Sequence, residues 1–367
     1  MPVKTKRRRV RDGTRMAGQW ALLLAVASGC QPRMVTEPLA PAEIETTLLL
    51  IGDAGEPDPH EVGAPLDSLE AQAMSAAERT IILFLGDNVY PEGLPEEGHA
   101  EWADSRRRLE AQVSAVPHDA RGIFLPGNHD WAGETAFGLY SIRLQERLIA
   151  ELAAGRDVRM LPGNGCPGPV TVDVGRLRLV MFDTQWWLHE YIVRDADSDC
   201  TGNFATVTAA LREQIRTDQD GRVVVVAGHH PLMTGGSHGG YCSTTGPFRR
   251  FGGRTQDIIS KPNRTLRDSI EAAFSAQPPL VYAAGHDHNL QVLRGGPSVA
   301  YLLVSGAGSD PKTSCAVRLR ESYFNSQNRS GFMRLDILRG RGVLLRVFHY
   351  AGDGTGGLAY SRWLEPR

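Results

Sequence analysis

No apolar run in this chain approaches the roughly 20 residues a membrane-spanning helix needs, and the apolar segment nearest the amino terminus, Ala21 to Ala27, is far too short. No internal repeat or low-complexity tract is present, which excludes solenoid and other repeat architectures. Positive charge is scarce beyond residue 29, where 33 basic residues face 41 acidic ones; that balance of −8 argues against nucleic acid as a partner. Cysteine is rare too: Cys30, Cys166, Cys200, Cys242 and Cys315 are the only five. In an exported chain the last four imply two disulfides with three possible connectivities; otherwise they are buried thiols. What is present, 41% hydrophobic and 22% charged residues over 367 positions, suits an ordinary soluble globular protein of one large α/β domain or two smaller ones.

Residues 1–30 read as a secretory signal outside the fold. Lys4, Lys6, Arg7, Arg8, Arg9, Arg11 and Arg15 form a positive region, and Ala21 to Ala27 the apolar segment that follows it. Cys30, after Ala27-Ser28-Gly29, resembles the lipobox of bacterial lipoproteins, with Ala27 where Leu or Val is usual. The resemblance implies a lipid anchor at Cys30 and export to the bacterial periplasm or cell surface. Ordinary cleavage nearby with Cys30 free is the alternative, and a start at Met16 would remove the positive region. Residues 31–45, with Pro32, Pro38 and Pro41, read as a linker, leaving 46–367 as the folded domain.

From Thr46 the pattern settles into strand, loop and helix. Strands are expected at 46–51, 80–85, 122–125, 170–174, 177–183, 222–227, 280–284, 299–305, 331–337 and 342–350, and helices near 66–78, 101–113, 137–153, 204–218 and 264–276. Early alternation of strand and helix gives parallel pairing, and the later hairpins add antiparallel strands. The expected fold is an α/β four-layer sandwich: two mixed β-sheets face to face, flanked by helices.

Five expected strands end in a glycine followed by a residue that can bind a metal. Gly52-Asp53-Ala54-Gly55 follows the first and Gly86-Asp87-Asn88-Val89-Tyr90 the second. Gly127-Asn128-His129-Asp130, Gly228-His229-His230-Pro231 and Gly285-His286-Asp287-His288 follow the others. Taken singly, each has an ordinary structural explanation, because Asp and Asn cap turns and a lone His is usually a satisfied core or surface residue. Together they line the carboxyl ends of strands, where open α/β sheets bind ligands. Asp87 and Tyr90 offer hard oxygen donors to one metal, Asn128 an amide oxygen, and His286 and His288 two imidazoles on one face of an extended segment with Asp287 turned away.

In this order and at these separations the motifs resemble those of the calcineurin-like metallophosphoesterases, in the variant of the purple acid phosphatases. GHDHNLQ (Gly285 to Gln291) and SGAG (Ser305 to Gly308) are similar to the small tartrate-resistant acid phosphatases. The resemblance covers about residues 46 to 310. It implies a first metal held by Asp53, Asp87, Tyr90 and His288, with Tyr90 as a tyrosinate on Fe(III). A second, Fe(II), Zn or Mn, would be held by Asp87, Asn128, His229 and His286, with Asp87 bridging. It also implies that His129 and His238 contact the substrate phosphate, and that Cys200 pairs with Cys242, leaving Cys166 for Cys315. Gly55 replaces the His that many relatives carry in the first motif, and Ala54 replaces a frequent aromatic, which would widen the pocket. The stretch Pro247 to Lys261 is longer than the family pattern and would shape substrate access; His230 has no assigned role, and His60, His99, His118, His189 and His349 read as structural or surface.

The expected activity is hydrolysis of small phosphate monoesters at acidic pH by a hydroxide activated between two metals. His129 and His238 would stabilise the phosphate oxygens or protonate the leaving group. A phosphodiesterase on the same metals and a surface binding protein without catalysis are the alternatives.

Overall fold

A strand covered on both faces needs apolar side chains on both, and the runs Thr46 to Ile51 and Thr80 to Leu85 meet that condition. The computed structural model describes residues 1, 39–56, 65–189, 200, 203–216, 221–242, 255–309, 315–340 and 342–365. In it those runs become β1 (Ile44–Ile51) and β2 (Thr80–Phe84), paired in parallel with Leu48 opposite Ile81. β3 (Arg121–Phe124) and β4 (Val158–Met160) continue the sheet in parallel. On the other side of β1, β12 (Ser330–Leu338), β13 (Val343–Tyr350) and β14 (Gly356–Leu364) add antiparallel strands. The order is β14-β13-β12-β1-β2-β3-β4.

The second sheet has a parallel centre of β6 (Leu177–Met181), β7 (Val223–Ala227), β8 (Val281–Ala284) and β10 (Tyr301–Ser305). β5 (Val170–Val174), β9 (Leu290–Arg294) and β11 (Ser322–Ser326) complete it antiparallel, in the order β11-β9-β10-β8-β7-β6-β5. Helices α1 (Pro65–Met74), α2 (Trp102–Ser114), α3 (Gly138–Ala153), α4 (Gln185–Leu188), α5 (Phe204–Arg216) and α6 (Lys261–Phe274) lie between strands in the chain.

The period of two along each strand divides the core. Leu48, Leu50, Ile81, Leu83 and Ile123 pack in one cluster with Leu179, Met181, Val225, Ala227 and Val281 of the other sheet. Their alternates Leu49, Ile51, Ile82, Phe84 and Phe124 join a second cluster with Leu69, Leu109, Val113, Ile142 and Ile149 of the helices. Val224, Val226 and Tyr282 meet Leu211, Ile215, Leu266 and Ile270 in the same way. The result is the α/β sandwich of two mixed sheets flanked by helices that the pattern predicts.

Four strands, β4, β9, β11 and β14, and the single-turn α4 are additional to the expected elements. Each has a local reason: β4 spans three residues, β9 follows the GHDH motif directly, β11 is polar, and β14 opens on two glycines. At the amino end, Pro41–Glu43 forms a 3-10 turn and β1 begins at Ile44, so order starts inside the expected linker. The leader, Cys30 and most of the linker lie outside the described residues.

The disulfides correct the pairing the resemblance implied. Cys166 bonds Cys200, with Cα atoms 5.1 Å apart, and Cys242 bonds Cys315, with Cα atoms 6.0 Å apart. The backbone explains it: Val317 N–H donates to Gly235 O at 2.9 Å, which brings the 315 segment beside the 242 loop, while Cys200 lies against Asn164. Two disulfides suit an oxidising, extracellular or exported setting.

A non-reducing peptide map is expected to join Cys166 to Cys200 and Cys242 to Cys315; a Cys200–Cys242 peptide would overturn this pairing. Sequence separations of 34 and 73 give each bridge about 4 kcal/mol of loop-closure stabilisation. Cys242→Ser with Cys315→Ser should therefore cost about 2–5 kcal/mol in denaturant unfolding.

Candidate metal centre

The five glycine-led loops follow β1, β2, β3, β7 and β8, at the carboxyl ends of parallel strands from both sheets. Hydrogen bonds between the sheets hold them together: Gly52 N–H donates to Ser305 O at 2.7 Å, His229 Nδ1–H to Leu85 O at 2.8 Å, and His286 N–H to Asp53 Oδ2 at 2.8 Å. Asp53, Asp87 and His286 have φ of 57°, 56° and 71°. The left-handed region costs a non-glycine residue roughly 1–3 kcal/mol, and such strain concentrates at functional sites. Neighbouring glycines make room for it. Gly86 has φ 95°, and a Cβ there would lie 2.6 Å from His229 Nδ1, while one on Gly127 would lie 2.2 Å from Asp87 Oδ1.

The structure brings all seven expected ligand residues together, in two sets that share one atom. Tyr90 Oη is 3.1 Å from Asp53 Oδ1, 3.1 Å from Asp87 Oδ2 and 3.0 Å from His288 Nε2. On the other side of the same Asp87 Oδ2 lies His229 Nε2 at 3.3 Å, and Asn128 Oδ1 is 3.0 Å from His229 Nε2 and 2.9 Å from His286 Nδ1. The remaining nitrogens of these two imidazoles are occupied, His229 Nδ1 by Leu85 O and His286 Nε2 by Gln256 O at 2.9 Å. Each ring therefore turns its other nitrogen, a lone pair in the neutral form, toward the centre. Lone pairs and carboxylate oxygens so crowded need positive charge between them, supplied by protons or by metal ions. The donor types, carboxylate, phenol, amide oxygen and imidazole, fit a dinuclear metal site.

Without metal the site holds protons. Burial keeps the Asp53 carboxyl well above its usual range, and burial followed by the two carboxylates pushes the Tyr90 phenol well above its own. At Asp87 burial is overcome by His229 and His129, which draw it well below the usual range. Burial also opposes a proton on His229, yet Asp87 beside it raises that imidazole to about 9.

His230 lies with His229 and His286 in a group of three imidazoles that could hold an ion. Both of its nitrogens are engaged elsewhere, Nδ1 with Thr184 Oγ1 at 2.8 Å and Nε2 with Gln256 Oε1 at 2.6 Å, so its part is to brace the loop. Ala54 packs in the outer core. His99 and His118 are exposed, His189 packs on Trp131 and His349 contacts Ser326. His60 lies outside the described residues.

The two non-ligand histidines lie one beside each set. The His129 ring is 4.3 Å from that of Tyr90, and its Nδ1 donates to Pro91 O. The His238 ring lies 3.9 Å from that of His286, and its Nδ1 is 3.1 Å from the buried Asp257 Oδ1. Among the described residues Nε2 of each ring has no hydrogen-bond partner. The 286–288 segment is not the extended one expected: His286 has φ 71°, which sends His286 and His288 to different sets, and Asp287 accepts from Thr234 Oγ1 at 2.6 Å and from His238 N–H at 3.2 Å, and so fixes that loop.

Sequence reasoning missed the residues that brace the ligands. Asp130 accepts from Asn88 N–H, Val89 N–H, Gly127 N–H and Asn88 Nδ2, tying the second loop to the third. Its place at the end of GNHD was the available signal. Arg108 donates to Gly55 O and Tyr90 O from α2, and no local pattern marks it. Gln256 and Asp257 come from the described end of the stretch expected to shape substrate access; its residues 247–254 lie outside the described ones.

In comparisons with known proteins, no family model matches the chain. It is 24% identical over 286 residues to rat tartrate-resistant acid phosphatase type 5, covering 76% of this chain and 70% of the relative. The mouse enzyme of that name is 25% identical over 283 residues, covering 73% and 74%. Among solved structures, purple acid phosphatase PPD1 from yellow lupin superposes with a TM-score of 0.54 at 15% identity, over 86% of this chain and 53% of that one. The fold is the α/β metallophosphoesterase sandwich. A second solved structure that superposes on the chain is GAP50, titled the anchor in the inner membrane complex of Plasmodium, with a TM-score of 0.56, 15% identity and coverage of 89% and 90%.

Groups with raised folded values bind protons more tightly folded than unfolded. In chelator the fold should therefore lose stability as pH rises from about 6.5, the unfolded value of His229, through about 9, its folded one. Bound metal displaces those protons, so its stabilisation should grow over the same range. Thermal unfolding with and without metal at a series of pH values checks both signs; a midpoint that climbs with pH in chelator would count against this account of the site.

Proposed function

We propose that the chain is a metal-dependent phosphatase that hydrolyses phosphate monoesters at mildly acidic pH. The observation that carries this reading is the convergence of seven donor residues in two sets on the shared Asp87 Oδ2. The similarity to tartrate-resistant acid phosphatases supports the choice of reaction. Asp53, Asp87, Tyr90 and His288 would hold one metal, and Asp87, Asn128, His229 and His286 the other. Two such cations neutralise a phosphate and acidify a water for attack on phosphorus.

The chain's own residues would do the rest. His129, held by Pro91 O at Nδ1, and His238, held by Asp257, each offer Nε2 to the substrate: to hydrogen-bond phosphate oxygens, or to give the leaving alkoxide a proton. Asp257 is a positioning residue that keeps the His238 proton on Nδ1 when the ring is neutral. The oxygen-rich first set, with a phenol among its donors, favours Fe(III) as a tyrosinate complex, and the nitrogen-richer second set suits Fe(II), Zn or Mn. A leader ending at Cys30 with a lipid there would place the enzyme at a bacterial periplasmic or outer surface.

Asp87→Ala, which removes the shared ligand, is expected to abolish turnover of p-nitrophenyl phosphate; full turnover in that variant would overturn the reading. Turnover of bis(p-nitrophenyl) phosphate that exceeds monoester turnover would assign the same centre to diesters. A visible absorption band lost in Tyr90→Phe is the expected mark of an Fe(III) tyrosinate, and a colourless but metal-loaded protein would leave the hydrolase and remove the iron. The fold's occurrence in an anchor protein favours a second reading, a binding protein without catalysis; a metal-loaded chain inert toward both ester classes would establish it.

A further inference from the structure

On the helix-covered face of the first sheet, away from the metal loops, three arginines line one cavity. Thr47, which contacts Asp336, and Leu49, opposite Arg334, lie on β1 six and four residues before Asp53, which at roughly 3.3 Å each sets the cluster about 13–20 Å from that end of the strand. The cavity has a volume of about 290 Å³ and is lined by Arg79, just before β2, by Arg334 of β12 and by Arg346 of β13. One carboxylate serves two of them. Asp336, fully buried, accepts from Arg334 Nε at 2.9 and 3.0 Å, from the Thr47 hydroxyl at 2.9 Å and from Arg346 Nη1. Arg334 Nη1 is also taken, by Gln72 Oε1 at 2.8 Å.

Arg79 has no such partner. Its Nε is buried without a hydrogen-bond acceptor, and no ion pair links its guanidinium to a carboxylate among the described residues. Among the described residues no carboxylate lines the cavity itself and Asp336 is the one ion-pair partner of the three guanidinium groups, which leaves two positive charges unanswered around a space that opens to solvent. Burial, with Arg334 adding to it, holds Arg346 below the usual arginine range, as expected where cations crowd. Apart from Gln72 and Ser75 the rest of the wall is apolar: Leu39, Phe348 and Leu358 line it, and Leu358 is 41% exposed.

Forked guanidinium groups recognise tetrahedral oxyanions through paired N–H···O bonds, and an excess of two charges matches a phosphate dianion better than a carboxylate. We propose that this cavity binds the phosphate group of an amphipathic phosphate ester, with the phosphate against Arg79 and Arg346 and the apolar part along Phe348 and Leu358. The ligand is held and not hydrolysed, since none of the candidate metal ligands is near. Phosphatidic acid in a bilayer and a soluble alkyl phosphate share this chemistry.

The test uses the full chain carrying Asp87→Ala, which disables the metal centre, and Cys30→Ser, which removes any lipid attached there. Its outcome is thus separate from that of the proposed hydrolysis. Calorimetric titration with hexylphosphonate should show one site whose affinity falls tenfold or more in Arg79→Gln and again in Arg346→Gln. Because the Arg79 side chain makes no hydrogen bond or ion pair among the described residues, its substitution should leave the thermal midpoint unchanged. In parallel, sedimentation with phosphatidylcholine vesicles, with and without phosphatidic acid, reads the membrane source. Arg79-dependent binding to hexylphosphonate alone identifies a soluble ester; Arg79-dependent binding to phosphatidic acid vesicles alone identifies a lipid headgroup. Binding to both means that the phosphate suffices from either source. Binding to neither, or binding that survives Arg79→Gln and Arg346→Gln, overturns the proposal.

Discussion

One carboxylate oxygen, Asp87 Oδ2, stands between a phenol and an imidazole, each within 3.3 Å of it, and the rest of the site is arranged around that contact. Gathering lone pairs and carboxylates in a buried place is electrostatically unfavourable unless cations sit among them. The chain tolerates the arrangement because other contacts over-determine it. Asp87 Oδ1 accepts from His129 N–H at 2.9 Å, so one side chain fixes the third loop with one oxygen while presenting the other to both donor sets. Around it, Asp130 receives four N–H groups from the second and third loops, and α2 contributes Arg108 and Gln112 to the carbonyls of the first and second. Three residues in left-handed backbone complete a site whose strain the two sheets must carry.

The sandwich architecture makes that possible. Its inner core is a flat interlock of Leu, Val, Met and Ala between the sheets, stiff enough to hold the carboxyl ends of β1, β2 and β3 against those of β7 and β8. Donors from one sheet reach acceptors on the other, as His229 does to Leu85 O and His286 N–H does to Asp53. Each donor set thereby draws on both sheets, Asp53, Asp87 and Tyr90 with His288, and Asp87 and Asn128 with His229 and His286. A slip between the sheets would disturb both sets together, which couples the integrity of the core directly to that of the site.

Much of the fold and nearly all of the donor set were legible in the residues themselves. Continuous apolar runs ending in Gly-Asp, Gly-Asn or Gly-His mark buried strands that stop at a loop, and β1, β2, β3, β7 and β8 fall where such runs end. The long helices were legible for the same reason, from their periodic apolar faces. What escaped was of two kinds. Short or polar edge strands such as β4 and β11 carry too few apolar residues to leave a period, and their pairing comes from the open hydrogen-bonding edge of a neighbouring strand, β3 or β9. The bracing residues escaped because an Asp, Gln or Arg has no local signature for a contact with a carbonyl or imidazole far along the chain. His238 with Asp257 and His230 with Gln256 are of this kind.

The order of glycines, carboxylates, amide, phenol and imidazoles along the chain determined by itself which residues can bind metal and that they stand at strand ends, since residue chemistry and strand periodicity are local properties. Only the tertiary structure decided how those residues divide around Asp87, which nitrogen each imidazole turns inward, and that Cys166 meets Cys200 and Cys242 meets Cys315. It alone set two arginines on one buried carboxylate and brought a third, from a separate stretch, to the wall of the same cavity. These are matters of distance between residues remote in sequence, and distance is fixed by packing the two sheets, which no stretch of the chain encodes alone.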